Sequence, residues 1–278
     1  MSQAGAISVR FWGVRGSIAC PGSETVRYGG NTSCIEVRCG EHLLIFDAGT
    51  GLRPLGKTLA AKGATLDTDL FFSHTHFDHV LGIPFFAPLF IPGCKVRMWA
   101  GHLLPEHRIE EVLGDMMMAP LFPVPMEVFR ASIEFHNFKC GETLHPRPDI
   151  TLHTRGLNHP NGATGYRLEY GGKVIAYITD TEHRQGEFDP NVLALIDHAD
   201  LMVYDCTYTD EEYPKFATWG HSTWQEGCRL AEAAHVKTLA VFHHDPAHDD
   251  AFMDRIADEA AEMRPGTIVA HEGMQLHI

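Results

Sequence analysis

The stretch Phe71-Phe72-Ser73-His74-Thr75-His76-Phe77-Asp78-His79 constrains this chain more than any other. The run Asp69-Leu70-Phe71-Phe72 reads as a buried strand that ends just before Ser73. Three histidines and one carboxylate follow within six residues, a density of nitrogen and oxygen donors that suits a borderline-soft divalent ion such as zinc. Backbone at a strand end is extended, so His74 and His76 project to the same side. Asp78 and His79 fall on the turn into the next helix and can point at a second position close by. One pair for each of two ions is the natural reading. The bland alternative is a polar loop with surface histidines, but an H-x-H-x-D-H string behind an apolar strand seldom arises without a metal.

The rest of the chain reads as strands and helices in alternation. Ile7 to Trp12 is a first strand, followed by a Gly-rich connection through Gly13-Val14-Arg15-Gly16-Ser17 and Tyr28-Gly29-Gly30-Asn31-Thr32. That connection lacks the pattern of a nucleotide P-loop, although Arg15 and Asn31 could lean into a site and touch an anion. Cys34 to Arg38 and Leu43 to Phe46 form a hairpin, and Asp47 beyond it suits a helix N-terminus, with the helix at Pro54 to Ala61. A strand at Lys95 to Trp99 and a helix near Pro105 to Leu113 separate two Met/Phe/Pro-rich stretches, 82–92 and 116–126, which read as loops over the site. Later strands are expected at Ile150 to Arg155, Thr164 to Tyr170, Val174 to Ile178, Leu201 to Tyr204 and Leu239 to Phe242. Thr267 to Ala270 and Met274 to His277 close the chain, and helices fall at Asp189 to Asp197, Thr223 to Ala234 (with Ser222 as cap) and Asp249 to Met263. No linker divides this pattern, so residues 1–278 read as a single layered domain with a mixed sheet.

Composition limits the partners. Of 278 residues, 44% are hydrophobic and 21% charged, as in ordinary globular proteins, and the formal charge is −14. Such a balance disfavours broad electrostatic capture of nucleic acid, which needs clustered Lys and Arg. Seven cysteines without a C-x-x-C pair suit reduced thiols in a cytoplasm. The segment Met1 to Ala6 lacks the character of a signal peptide, and the apolar run Val80 to Pro92 is short and broken by prolines, so no membrane partner is expected.

Four more polar residues stand just past apolar strands or beside glycine: His159, Asp180, His221 and His243. Any one alone is more often structural. In layered α/β folds, however, strand ends converge on one edge where sites gather. With 74–79 they supply enough donors for two ions and leave one carboxylate to bridge them.

These motifs, in this order, resemble the metallo-β-lactamase-fold hydrolases over nearly the whole chain. The likeness is closest to their phosphodiesterase branch, which includes ribonuclease Z and the small phosphonate-pathway and cyclic-nucleotide phosphodiesterases. The resemblance implies an αββα sandwich of two mixed sheets with helices on the outer faces. It implies one zinc-type site on His74, His76 and His159, another on Asp78, His79 and His243, and Asp180 bridging them. Manganese or iron would suit the same donors. Asp47 corresponds to the first motif of the family and reads as a carboxylate that supports the ligands or the fold more than as a ligand itself. Leu201 to Tyr208, with Gly220-His221-Ser222-Thr223, resembles the ribonuclease Z segment in which an acidic residue orients a catalytic histidine; here Asp205 stands where glutamate is usual. A long Gly/Lys-rich arm for gripping transfer RNA is missing, which disfavours that substrate and favours a small anionic phosphodiester.

The chemistry expected is in-line hydrolysis at phosphorus. Two ions about 3.5–4 Å apart activate a shared water and clamp the reacting oxygens, while His221, oriented by Asp205, protonates the leaving group. Asp78, Asp205 and His221 are thus the residues assigned to catalysis. A carboxylic ester, lactone or thioester hydrolase of the same fold is the alternative, followed by a di-iron redox or binding protein. A homodimer is compatible with either.

Overall fold

The computed structural model describes residues 6–278, and the amino-terminal reading above rests on a segment of which residues 1–5 lie outside the described residues. The chain folds into two seven-stranded sheets. The first holds β1 (Ile7–Gly13), β2 (Cys34–Cys39), β3 (His42–Phe46), β4 (Asp67–Phe72), β5 (Lys95–Ala100) and β6 (Ser132–Asn137). The second holds β7 (Thr143–Arg147), β8 (Ile150–Leu157), β9 (Ala163–Tyr170), β10 (Lys173–Ile178), β11 (Leu201–Asp205), β12 (Thr238–Phe242) and β13 (Thr267–Val269). The last strand, β14 (Gln275–His277), crosses back to pair with β1 at the edge of the first sheet.

Both sheets follow one plan. The β1–β2–β3 meander is antiparallel, and β3–β4–β5–β6 run parallel. In the second sheet β7–β8–β9–β10 are antiparallel and β10–β11–β12–β13 parallel. The parallel strands β11 and β12 read as apolar runs because helices cover the face turned away from the other sheet, whereas β5 alternates and β6 at the edge is half-exposed. The helices are α1 (Leu52–Ala60), α2 (Phe77–Val80), α3 (Ile109–Met116), α4 (Pro190–Ile196), α5 (Tyr213–Phe216), α6 (Trp224–Ala233) and α7 (Asp250–Met263). Leu55 of α1 and Leu113 of α3 pack on the first sheet, and Leu195 of α4, Leu230 of α6 and Ile256 of α7 on the second. Between the sheets lies a core of Phe11, Phe46, Phe71, Tyr166, Tyr177 and Phe242. Each buried side chain of this size stabilises the fold by about 1.5–3 kcal/mol through apolar burial. The layer order is therefore helix, sheet, sheet, helix, as expected.

Several local expectations are corrected. Asp47 does not cap α1, whose first turn is preceded by Gly51 without a side-chain cap. The cap of α6 is Thr223, whose hydroxyl accepts from the Glu226 amide at 3.0 Å, one residue beyond the expected Ser222. Helix α3 begins at Ile109, later than Pro105, and the strands β6 and β7 were not foreseen. In β6 the residues are half-buried to exposed, so neither apolar run nor clean alternation marks it. The 82–92 stretch forms two 3-10 turns, Ile83–Phe85 and Ala87–Phe90, which bury Ile83, Phe86 and Leu89. No helix among the described residues is long and apolar enough to cross a membrane.

Candidate metal centre

The carboxyl ends of the parallel strands meet at one edge of the sandwich, where polar side chains from both sheets face one another. Asp47 follows β3, Ser73 and His74 follow β4, Asp180 follows β10, Asp205 ends β11 and His243 follows β12. Three of these, Asp47, Asp180 and His243, have φ of 58°, 55° and 63°. Non-glycine residues seldom occupy this left-handed region, and here it turns each side chain out of the strand line towards its neighbours.

Two donor groups result. In the first, His74, His76 and His159 bring one ring nitrogen each within 4.8 Å of the others. In the second, Asp78, His79, Asp180 and His243 do the same. The two oxygens of Asp180 divide between them. Its Oδ2 lies 3.6 Å from His74 Nε2 and 3.8 Å from His159 Nε2, and its Oδ1 lies 3.2 Å from His79 Nε2 and 3.3 Å from His243 Nε2. His79 Nε2 is also 3.2 Å from Asp78 Oδ2. The expected ligand residues are all brought together.

The opposite nitrogen of each histidine is held by the protein, which selects the tautomer. His79 Nδ1 lies 2.8 Å from Asp47 Oδ2, and His159 Nδ1 donates to the Gly220 carbonyl at 2.8 Å. His74 Nδ1 meets the Ser73 hydroxyl at 3.1 Å, and that hydroxyl donates to Asp47 Oδ2 at 2.7 Å. His243 Nδ1 meets the Thr207 hydroxyl at 2.9 Å. His76 differs, because its Nδ1 is the nitrogen near His159 Nε2 (3.2 Å), and Asn161 approaches its Nε2 at 3.5 Å. Among the described residues, His74 Nε2 and His79 Nε2 are buried atoms without a hydrogen-bond partner. Buried polar atoms are nearly always satisfied, so two orphaned nitrogens aimed at carboxylates fit a divalent ion as their common partner.

Electrostatics agree. Burial, with the charge of neighbouring histidines, pushes His74 well below the usual imidazole range, and burial and its neighbours likewise lower His76 and His159. Neutral imidazole is the metal-binding form. At His79 burial acts the same way, but the charges of Asp78, Asp180 and Asp47 outweigh it and raise its pKa. A divalent ion beside those carboxylates would supply the same positive charge.

Asp205 lies fully buried and accepts from four donors: the Thr181 amide at 3.1 Å, the Thr207 amide at 3.1 Å, the Thr207 hydroxyl at 2.7 Å and His221 Nδ1 at 3.0 Å. Although burial lowers the pKa of His221, the charge and hydrogen bond of Asp205, with Asp180 and Asp78 behind it, raise it to about 9. His221 could also count as a ligand, since it falls within reach of His159 and Asp180. The nitrogen that approaches Asp180 at 3.8 Å is Nδ1, however, the one already bonded to Asp205. A cavity of about 370 Å³ opens here, lined by Ser17, Thr75, His76, Phe77, Asp78, Asp180 and His221.

Two expected anion contacts are corrected. Arg15 is fully buried and gives its guanidinium to the carbonyls of Gly29, Asp245 and His248, so it braces the loop. Asn31 is held by Glu272. His244 donates to the Ala270 carbonyl at 2.8 Å, outside both donor groups, while the Asp245 side chain accepts from the Ala247 amide. Residues not foreseen from the sequence are Ser73, Asn161, Tyr177 and Thr207, whose polar atoms bear on the donor groups directly or through Asp47. Only their spacing from the ligand residues could have pointed to them.

Comparison with known proteins places this arrangement in a family. The profile described as "Beta-lactamase superfamily domain" matches residues 42–244, and the chain belongs to that family. It is a metal-dependent hydrolase of the metallo-β-lactamase fold. Ribonuclease Z of Myxococcus xanthus is 22% identical over 295 aligned positions, covering 89% of this chain and 92% of the relative. Among solved structures, the metallo-beta-lactamase fold protein YhfI from Bacillus subtilis superimposes with a TM-score of 0.73 at 18% identity, over 99% of this chain and 100% of that one. A diphosphatase from the PhnP family gives a TM-score of 0.68 at 17% identity, over 98% and 97%. At such identities the structural likeness carries the fold alone.

Proposed function

We propose that the chain is a dinuclear phosphodiesterase acting on a small phosphodiester. His74, His76 and His159 would hold one divalent ion, Asp78, His79 and His243 the other, and Asp180 would bridge them. Zinc is the ion this donor set favours, with manganese and iron as acceptable substitutes. When bound, two such ions provide a nucleophilic water at neutral pH and neutralise charge on the phosphoryl oxygens.

The protein's own contribution is a proton. With Nδ1 bonded to Asp205, His221 has Nε2 left for a leaving oxygen, and the charge and hydrogen bond of Asp205 favour its protonated form. The observation that carries the reading is this pair beside Asp180, because an alkoxide leaving from phosphorus needs an acid more than a thiolate or enolate does. The Thr181 and Thr207 amides hold Asp205 as a carboxylate, so the imidazolium keeps its orientation through turnover. The name of the Myxococcus relative makes RNA the competing substrate. A small diester is favoured because, among the described residues, no Lys or Arg lines the cavity, and flanking phosphates would meet no cation there. The shared core between the sheets supports one domain, and seven free cysteines support a reducing compartment.

The test is hydrolysis of bis(p-nitrophenyl) phosphate by metal-loaded protein beside its chelated form, followed by cyclic nucleotides and short RNAs. Chelator-sensitive turnover supports the reading. Two bound ions without phosphodiester turnover would redirect it to carboxylic ester, lactone or thioester substrates.

A further inference from the structure

We propose that Thr207 is a positioning residue that ties the acid His221 to the metal ligand His243 through the single carboxylate of Asp205. The inference rests on the metal-centre reading above and adds a residue to it. Thr207 follows β11 by two positions and is 1% exposed. Its hydroxyl lies 2.7 Å from Asp205 Oδ1, 2.9 Å from His243 Nδ1 and 3.0 Å from the His243 carbonyl.

A hydroxyl has one proton to give. The shortest of the three contacts, to an ionised and fully buried oxygen, is the one it serves, since charge-assisted hydrogen bonds are about twice as strong as neutral ones. The lone pairs then face His243 Nδ1, which must be the protonated nitrogen. That leaves His243 Nε2, 3.3 Å from both Asp78 Oδ2 and Asp180 Oδ1, as the lone pair for an ion. The other oxygen of Asp205 takes the His221 proton at 3.0 Å. One carboxylate therefore sets the tautomer of the acid directly and that of the ligand at one remove.

The same device stands across the centre. His79 bonds Asp47 directly, while His74 reaches the same carboxylate oxygen through the Ser73 hydroxyl. In both places a histidine whose neighbour owns the carboxylate borrows it through a hydroxyl. At Thr207 the borrowing joins two different jobs, ligation and proton donation.

The experiment compares wild type, Thr207→Val and Thr207→Ser in competition titrations of zinc against a chromophoric chelator, with kcat and KM measured at saturating zinc. Loss of an outer-shell partner commonly costs 10–100-fold in metal affinity. Thr207→Val should weaken one of the two zinc equivalents by about 10–100-fold and leave the other within about threefold. It should lower kcat more than it raises KM, because His221 loses part of its support. Thr207→Ser, which keeps the hydroxyl, should return affinity to within about threefold of wild type. Equal affinities for wild type and Thr207→Val would overturn the relay, as would a Ser variant as defective as Val, since the methyl group rather than the hydroxyl would then matter. If Val fails to fold, Thr207→Ala takes its place, since it also removes the hydroxyl, and an affinity equal to wild type would overturn the relay. Wild-type protein that takes up no zinc would overturn the metal-centre reading and the relay with it.

Discussion

On the proposed function, replacing His221 by alanine separates proton donation from everything else the centre does. The side chain touches the cavity, and its ring centroid lies 4.9 Å from that of His243 and 5.4 Å from that of His159. Its loss removes one of four hydrogen bonds to Asp205, and the three remaining donors are two amides and the Thr207 hydroxyl. Burial raises the pKa of Asp205 and His221 does most to lower it, so the stability cost is that of breaking a buried ion pair, about 3–5 kcal/mol, and circular dichroism with metal stoichiometry checks that the variant keeps its fold and both donor groups. Catalytically, a positioned acid is worth about 10²–10⁴, or roughly 2.7–5.4 kcal/mol of barrier at about 1.36 kcal/mol per decade. That benefit scales with the basicity of the leaving oxygen. At saturating metal, kcat for a dinucleotide with an alkoxide leaving group should fall by about 10²–10⁴, followed by chromatography. For bis(p-nitrophenyl) phosphate, whose phenolate leaves unaided, the fall should stay below about tenfold. Equal losses on both substrates would refute the acid and make His221 a structural or ligating residue. No loss on the dinucleotide would refute it outright.

Two other predictions rest on separate features. A Cβ at Gly16 would overlap the Nδ1–Cε1 edge of His243, so Gly16→Ala should displace that ring and lower zinc stoichiometry measured by elemental analysis, whereas Gly156→Ala, where the nearest atom is Cys140 Cβ at 3.9 Å, should not. At the opposite end of the sheets, the hydrogen bond from Arg97, against burial and with Arg147 assisting, lowers Asp67 to about 2. A depressed carboxyl contributes stability above its unfolded pKa of about 3.9 and loses it as pH falls towards 2. Asp67 is half-exposed, so the contribution is below about 1 kcal/mol. Asp67→Asn should therefore unfold at lower urea than wild type at pH 6, with the gap narrowing between pH 4 and pH 3.

Much of the fold was legible because parallel strands such as β11 and β12 are buried on both faces. Leu201 to Tyr204 and Leu239 to Phe242 stand out as short apolar runs with no polar interruption, and the structure extends them by only a residue or so, to Asp205 and back to Thr238. Helices α4 and α7 were equally plain, since Asp189 and Asp249 cap them from the sequence position where a cap is sought. The strands missed, β6 and β7, lie at sheet edges, where one flank needs no partner and the residues stay half-exposed. β6 takes its pairing from β5, far back in the sequence, while β7 forms a hairpin with the adjacent β8 through an irregularity between Leu144 and Arg147, and neither leaves a clean local period to detect.

The site was legible for a different reason, and its blind spot follows from that. His74, His76, Asp78 and His79 are close in sequence, so their chemistry can be read before their geometry. Asp47 supports the ligands as its reading as a non-ligand carboxylate expects, but its placement as a helix cap and that of Arg15 at an anion were misjudged, because residue type alone cannot say which way a strand end turns. A carboxylate after a strand ordinarily points to the next helix, as a cap; with φ of 58°, Asp47 instead reaches Ser73, His79 and Tyr177. Tyr177 belongs to the other sheet, and its hydroxyl donates to Asp47 Oδ2 at 2.8 Å. Left-handed backbone at a non-glycine residue costs on the order of 1–3 kcal/mol, and three such residues stand within this one centre. The strain is held by the same hydrogen bonds that orient the histidines, so each carboxylate, its hydroxyl partners and its strand end form one unit. Such units are assembled across two sheets, between residues up to 130 positions apart, and a sequence carries no local mark of them.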